Sequence, residues 1–251
     1  MPILGDAPTL YFLIRGNGKF MQKVSPDKKE RMKKFIAVAG NIGVGKSTLV
    51  EFFCQRLNWE PFYEPVTENP YLTDFYQNMS AWSFHSQIFF LIHRLRIHQS
   101  LLRSEGSVIQ DRSIYEDAEI FARNLYLQNL MSQRDYDTYH TLYLTLAESL
   151  PPPDLVIYLR ASVPTLLKRI NQRNRDYERT IQPEYLEQLN QLYEEWIENF
   201  TICPVLTVPS DDLDYVAHPR HLDILLNKIQ DKLTGNEEVV FDPLELNQAC
   251  D

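Results

Sequence analysis

Apolar residues along this chain gather into short runs of strand length, separated by longer stretches with helical spacing. The runs are FIAVAG from Phe35, PFYE at 61–64, SVIQD at 107–111, DLVIYL at 154–159 and PVLTV at 204–208. Between them Ile88, Leu91, Leu95 and Leu102 recur on one side of a helix predicted over 84–102, and further helices are predicted near 115–129 and from about Gln182. Strands alternating with helices form βαβ units, so the pattern predicts an α/β fold with a central five-stranded parallel sheet flanked by helices. Ligands of such sheets lie at the carboxyl ends of the strands, which is where Gly40, Glu64 and Asp111 fall. These three residues are expected at one site.

The first run breaks into a glycine-rich turn, GNIGVGKST at 40–48, that satisfies the spacing G-x-x-x-x-G-K-[ST] with a strand before it and a helical pattern after it. Glycines let successive backbone N–H groups curl around an anion, and the N-terminus of the following helix adds partial positive charge. Gly40, Asn41, Ile42, Gly43, Val44, Gly45, Lys46, Ser47 and Thr48 are therefore expected to hold the phosphates of ATP. In that cradle Lys46 reaches the terminal phosphates and Ser47 offers an oxygen to Mg²⁺. The expected fold is accordingly of the P-loop kinase type.

Composition narrows the partners. With 251 residues and 44% hydrophobic content the chain can bury a substantial core, expected over 35–232, between an N-terminal extension at 1–34 and an acidic tail at 233–251. A net charge of −9 without a basic stripe argues against a nucleic-acid surface, although local cations can still hold a nucleotide. Cys54, Cys203 and Cys250 are an odd number without metal-ligand spacing, as expected of free thiols in a reducing compartment. The early apolar piece TLYFLI is too short to span a bilayer and is followed, not preceded, by its basic stretch, so no membrane partner and a cytoplasmic location are expected.

Further chemistry clusters near the predicted strand ends. Glu64 leaves the second strand beside the cradle, where a carboxylate could take the proton of an acceptor hydroxyl. No Lys or Arg occurs among the 37 residues between Arg56 and Arg94, which should line the acceptor side. An acceptor already bearing a phosphate would need a cationic clamp there, so the acceptor is expected to be neutral. Gln87 and Arg94 share a helix face with Phe90 between them; without a partner they would simply snorkel to solvent. In QDRSIYEDAEIF at 110–121, Asp111 can hold Mg²⁺, Arg112 can neutralise charge near the transferring phosphoryl group, and Asp117 and Phe121 point from one helix face toward a base. Arg169, Arg173 and Arg175, in LKRINQRNRDYER, read as an arginine-rich lid over the donor phosphates, with a solvated basic helix end as the plainer alternative.

GNIGVGKST, YEPV, NPYLTDFY, WSFHSQ, QDRSIYED and RNRDYERT, in this order, resemble the deoxyribonucleoside kinase family, which includes deoxycytidine, deoxyguanosine and bacterial deoxyadenosine kinases. The resemblance implies Glu64 as general base, Tyr76 and Glu178 on the sugar 3′-hydroxyl, Arg112 near the 5′-oxygen, and Gln87, Arg94, Asp117 and Phe121 around the base. It also implies that SDDLDYV, with Asp211 and Asp212, encloses the donor adenine, and that helices at 84–102 and near 115–129 pair in a homodimer. The reaction implied is ATP-dependent phosphorylation of a deoxyribonucleoside at its 5′-hydroxyl. ENPYLTDFY is similar to the bacterial branch, which places deoxyadenosine first and deoxyguanosine or deoxycytidine behind it. A nucleoside monophosphate kinase of the thymidylate-kinase type shares loop and lid but conflicts with the cation-free stretch. A GTPase would need D-x-x-G and N-K-x-D, neither of which occurs, and a non-catalytic nucleotide-binding regulator would have little use for Lys46, Glu64 and Arg112 together.

Overall fold

A computed structural model describes residues 33–63, 68–179, 181–211, 213–236, 239 and 241. Most of the N-terminal extension and of the acidic tail lies outside them, as do Glu64, Asp212 and Cys250.

Five parallel strands form one sheet in the order β2-β3-β1-β4-β5. β1 (Phe35–Gly40) runs through its centre with every residue buried, because helices cover both faces and no alternate position meets water. β3 (Val108–Asp111) and β4 (Leu155–Arg160) flank it, β2 (Glu60–Phe62) and β5 (Val205–Pro209) form the edges. The chain leaves β1 toward one edge and leaves β3 toward the other, so a crevice opens between the carboxyl ends of these neighbours. Gly40 and Asp111 end those two strands.

The five predicted runs are thus the five strands, with shifted ends. β2 starts a residue early, as Glu60 pairs with Val108, and stops at Phe62. β4 begins at Leu155, because the Asp154 carboxylate instead accepts from Phe35 N at 2.8 Å and Lys34 Nζ at 3.2 Å and closes the base of the sheet.

The helices α1 (Lys46–Leu57), α2 (Leu72–Gln77), α3 (Met79–Arg103), α6 (Gln133–Ala147), α7 (Val163–Arg173), α8 (Pro183–Asn199) and α9 (Pro219–Leu233) pack around the sheet, with α4 (Ile114–Glu116) and α5 (Arg123–Leu127) in one helical run. α3 exceeds its predicted span because the Asn78 side chain accepts from Ala81 N at 3.2 Å and starts the helix earlier. The helix predicted over 115–129 needs correction. It runs from Ile114 to Leu127, and its middle, Asp117–Ala122, is a π turn in which Arg123 N–H reaches Ala118 O. A capping box of Ser113 and Glu116 sets its start. Among the described residues no helix is long and apolar enough to cross a membrane, and Cys54 and Cys203 are free thiols.

Candidate active site

The turn after β1 is held in a conformation that only glycine supplies at its first position. Gly40 has φ 143°, and a Cβ there would lie 2.6 Å from Leu159 O and 2.9 Å from Val44 Cγ1. Gly40→Ala is therefore expected to cost about 1–3 kcal/mol in backbone strain alone; at about 2–4 °C per kcal/mol, a drop in Tm of several degrees should be seen by calorimetry. Asn41 anchors the loop to α8: its Nδ2 donates to Leu186 O at 2.9 Å and Asn190 Oδ1 at 2.8 Å, while its Oδ1 accepts from Ile42 N at 2.7 Å. Lys46 is buried and its Nζ donates to Gly40 O at 2.8 Å and Asn41 O at 3.1 Å, which places the ammonium inside the loop.

From this cradle a cavity of about 800 Å³ extends toward α3 and the π turn. Ile42 to Thr48 line one end, with Arg169, Arg173 and Arg175 beside them. Tyr76, Gln87, Phe90, Asp117 and Phe121 line the other, and Asp111, Arg112 and Glu178 lie on its wall as well. One cavity thus gathers most of the residues read from the sequence.

Gln87 and Arg94 are only 4% and 1% exposed, which excludes the snorkelling alternative. Three expectations come out differently. Arg94 does not line the cavity but sits behind Asp117: its Nε donates to Asp117 Oδ2 at 3.0 Å and its Nη1 to Asp111 O at 2.9 Å. Gly40 and Asn41 shape the loop from outside the cavity wall. Asp211 is outside it too, because its carboxylate accepts from Ser162 N at 2.9 Å and Ser162 Oγ at 2.9 Å at the start of α7. Burial alone would raise the pKa of Asp211, but these bonds and one from Thr165 outweigh it and the net direction is down. Leu213 to Ala217 face the cavity in its place.

The π turn positions the far end. Asp117 and Phe121, four apart on the π turn, both face the cavity. Arg112 follows β3 at φ 66°, unusual for a side chain of its size, and its N–H donates to Val38 O at 2.9 Å. Its guanidinium lies 4.2 Å from the Phe121 ring centroid, and its Nη1 donates to Tyr193 Oη at 3.0 Å. Beside it Glu116 is fully buried, and burial pushes its carboxyl above the usual range even though Arg112 and Lys46 oppose that rise.

At the cradle's mouth Ser47 Oγ donates to Asp111 Oδ2 at 2.5 Å, and Asp111 Oδ1 is buried with no hydrogen-bond partner. A hydroxyl and a carboxylate with an oxygen to spare fit Mg²⁺, which binds through one or two protein oxygens plus phosphates and waters. Among the described residues no group of three or more His, Cys, Asp or Glu could hold a metal by itself.

On the lid, Arg173 Nη2 donates to Glu178 at 2.7 Å and Arg175 lies 3.6 Å from the same carboxylate. Arg169 instead donates to Val44 O at 2.8 Å and Ser210 O at 2.7 Å, bracing the cradle against the turn after β5. Sequence reasoning missed Glu116, Tyr193 and Tyr215. Glu116 was legible as the last residue of the S-x-x-E box, and Tyr215, whose Oη donates to Gly45 O at 3.1 Å, lies within SDDLDYV although its own role there had no local signal.

A phosphate cradle at the end of the central strand, a buried lysine, a Ser–Asp pair and an arginine lid around one pocket define a P-loop phosphotransferase. The sequence model of the deoxynucleoside kinase family matches residues 36–234. The chain is 38% identical over 205 residues to the deoxyadenosine/deoxycytidine kinase of Bacillus subtilis, covering 81% of this chain and 94% of that one. It is 36% identical to the deoxyguanosine kinase of the same organism, covering 73% and 90%. A solved structure of deoxyadenosine kinase from M. mycoides, with products dCMP and a flexible dCDP bound, superposes with a TM-score of 0.71 at 35% identity, covering 78% of this chain and 99% of that one. The chain belongs to the deoxynucleoside kinase family and is an enzyme that phosphorylates deoxyribonucleosides.

Proposed function

We propose that the chain transfers the γ-phosphoryl group of ATP to the 5′-hydroxyl of a deoxyribonucleoside, deoxyadenosine first and deoxyguanosine or deoxycytidine behind it. The observation that carries this reading is the Arg94–Asp117 pair at the closed end of the pocket, next to Gln87 and Phe121. A base edge with an amino group for Asp117 and an acceptor for Gln87 satisfies that end, and adenine and cytosine provide it. The B. subtilis relative named for deoxyadenosine and deoxycytidine supports the same choice.

In this reading Tyr76 and Glu178 take the sugar 3′-hydroxyl and Glu64 removes the proton from the 5′-hydroxyl. Arg112 and Lys46 neutralise charge on the phosphoryl group in flight, and Arg173 and Arg175 leave Glu178 to close over the donor. Glu178 thereby links sugar binding to lid closure. Ser47 and Asp111 would hold Mg²⁺, which would neutralise charge on the donor phosphates. The catalytic domain spans 35–232, the protein works as a homodimer in the cytoplasm, and sedimentation as a monomer at micromolar concentration would overturn the dimer.

A coupled ATP-consumption assay against the four deoxynucleosides and their monophosphates tests the substrate class. Turnover with deoxyadenosine is expected; turnover with monophosphates alone would overturn the reading. Arg173→Ala is expected to lower kcat by about 10- to 100-fold, the loss of one or two charge-assisted hydrogen bonds, with the KM for deoxyadenosine within a few-fold. A change in KM alone would remove the lid assignment.

A further inference from the structure

We infer that Tyr193 and Glu116 are positioning residues for phosphoryl transfer: together they fix Arg112 and the first cradle residue, Gly40, to each other. The inference rests on the role given to Arg112 in the proposed mechanism and adds how that role is sustained.

Tyr193 comes from α8 and its hydroxyl sits at a three-way junction. It accepts from Arg112 Nη1 at 3.0 Å, and its one proton faces two acceptors, Glu116 Oε1 at 2.8 Å and Gly40 O at 2.9 Å. Glu116 completes the junction from the other side. Its Oε1 also accepts from Gly40 N at 3.2 Å and lies 3.7 Å from Arg112 Nη1, while its Oε2 accepts from Ser113 N at 2.9 Å. Both side chains are fully buried, so neither is there for solubility.

The tethered atoms matter more than their number. Gly40 ends β1 and opens the phosphate cradle; Arg112 and Ser113 follow β3. The junction therefore spans the crevice between the two strand ends and sets the distance from the cradle to the guanidinium. Phe121 covers one face of that guanidinium at 4.2 Å, so Tyr193 and Glu116 supply the direction the ring leaves open. Transition-state charge stabilisation needs the donor held in place before charge develops, and small displacements are costly. Glu116 Oε1 stands 3.7 Å from the Arg112 guanidinium, so the two groups share one dry site.

The test is a kinetic cycle on the full chain with Tyr193→Phe, Arg112→Ala and the double variant, using deoxyadenosine and ATP. Tyr193→Phe keeps the ring and removes one hydrogen-bonding group, so kcat is expected to fall by about 10- to 100-fold, the weight of a hydrogen bond to a charged group, while both KM values stay within a few-fold. In the Arg112→Ala background the same change should lower kcat less than about 2-fold, because nothing is left to position. Glu116→Gln keeps its size and should lower kcat at least as much as Tyr193→Phe. An additive cycle, or an unchanged kcat in Tyr193→Phe, overturns the inference and leaves the proposed reaction standing. An unchanged kcat in Arg112→Ala overturns both the role of Arg112 and the inference, and absence of deoxyadenosine phosphorylation by the unaltered chain overturns the proposed function itself.

Discussion

Thymidine is expected to be a negligible substrate for this chain, and to become a measurable one when Arg94→Met and Asp117→Ala are combined. Arg94 and Asp117 are 1% and 3% exposed and joined at 3.0 Å, so the closed end of the pocket presents a fixed carboxylate. Thymine brings a carbonyl where that carboxylate needs a donor, and an acceptor facing an acceptor in a dry site has no relief. Sites built on such hydrogen bonding discriminate by as much as about 10⁴- to 10⁵-fold in kcat/KM. The double variant removes both polar obstacles and makes room for the methyl group. Stability gives an independent check on the same pair. Arg94→Met alone strands a buried carboxylate and is expected to cost about 3–5 kcal/mol, whereas the double variant should lose clearly less than the two single losses added together. Because Arg94 also holds Asp111 O at 2.9 Å, some loss of kcat with deoxyadenosine should accompany either change. Efficient thymidine phosphorylation by the unaltered chain would show that the pair does not select the base.

Glu64→Gln is expected to lower kcat by about 10²- to 10⁴-fold, the usual weight of general acid–base catalysis, with deoxyadenosine affinity within a few-fold. The amide keeps the size of the side chain and still accepts a hydrogen bond from the 5′-hydroxyl, so binding survives while the proton has nowhere to go. Single-turnover kinetics separate the two effects. Near-normal turnover would remove Glu64 as the base. Lys46→Ala is expected to reduce turnover as well, but with weaker ATP binding, since Lys46 also holds the cradle through Gly40 O and Asn41 O.

Much of the fold was legible because central parallel strands buried on both faces read as mainly apolar runs, as FIAVAG and LVIYL do. The phosphate cradle was legible because its chemistry is local: the glycines, Lys46 and Ser47 act within a few residues of one another. Helical spacing likewise placed Gln87, Phe90 and Arg94 on one face of α3, since that depends on the chain's own period. What the spacing could not supply was the environment that face meets, so solvent and a buried partner were equally compatible with Arg94 until α3 was packed against the π turn. The π turn itself has no periodic signature. Tyr193 lies within the helix predicted from about Gln182 and nothing local singles it out, yet its hydroxyl meets Glu116, 77 residues earlier, and Arg112, 81 residues earlier. The sequence by itself determined the class of fold, the cradle and the kind of reaction, because each is written in neighbouring residues. The tertiary structure alone decided which buried charges pair and how the guanidinium is aimed, because those depend on distances across the sheet that no local pattern carries.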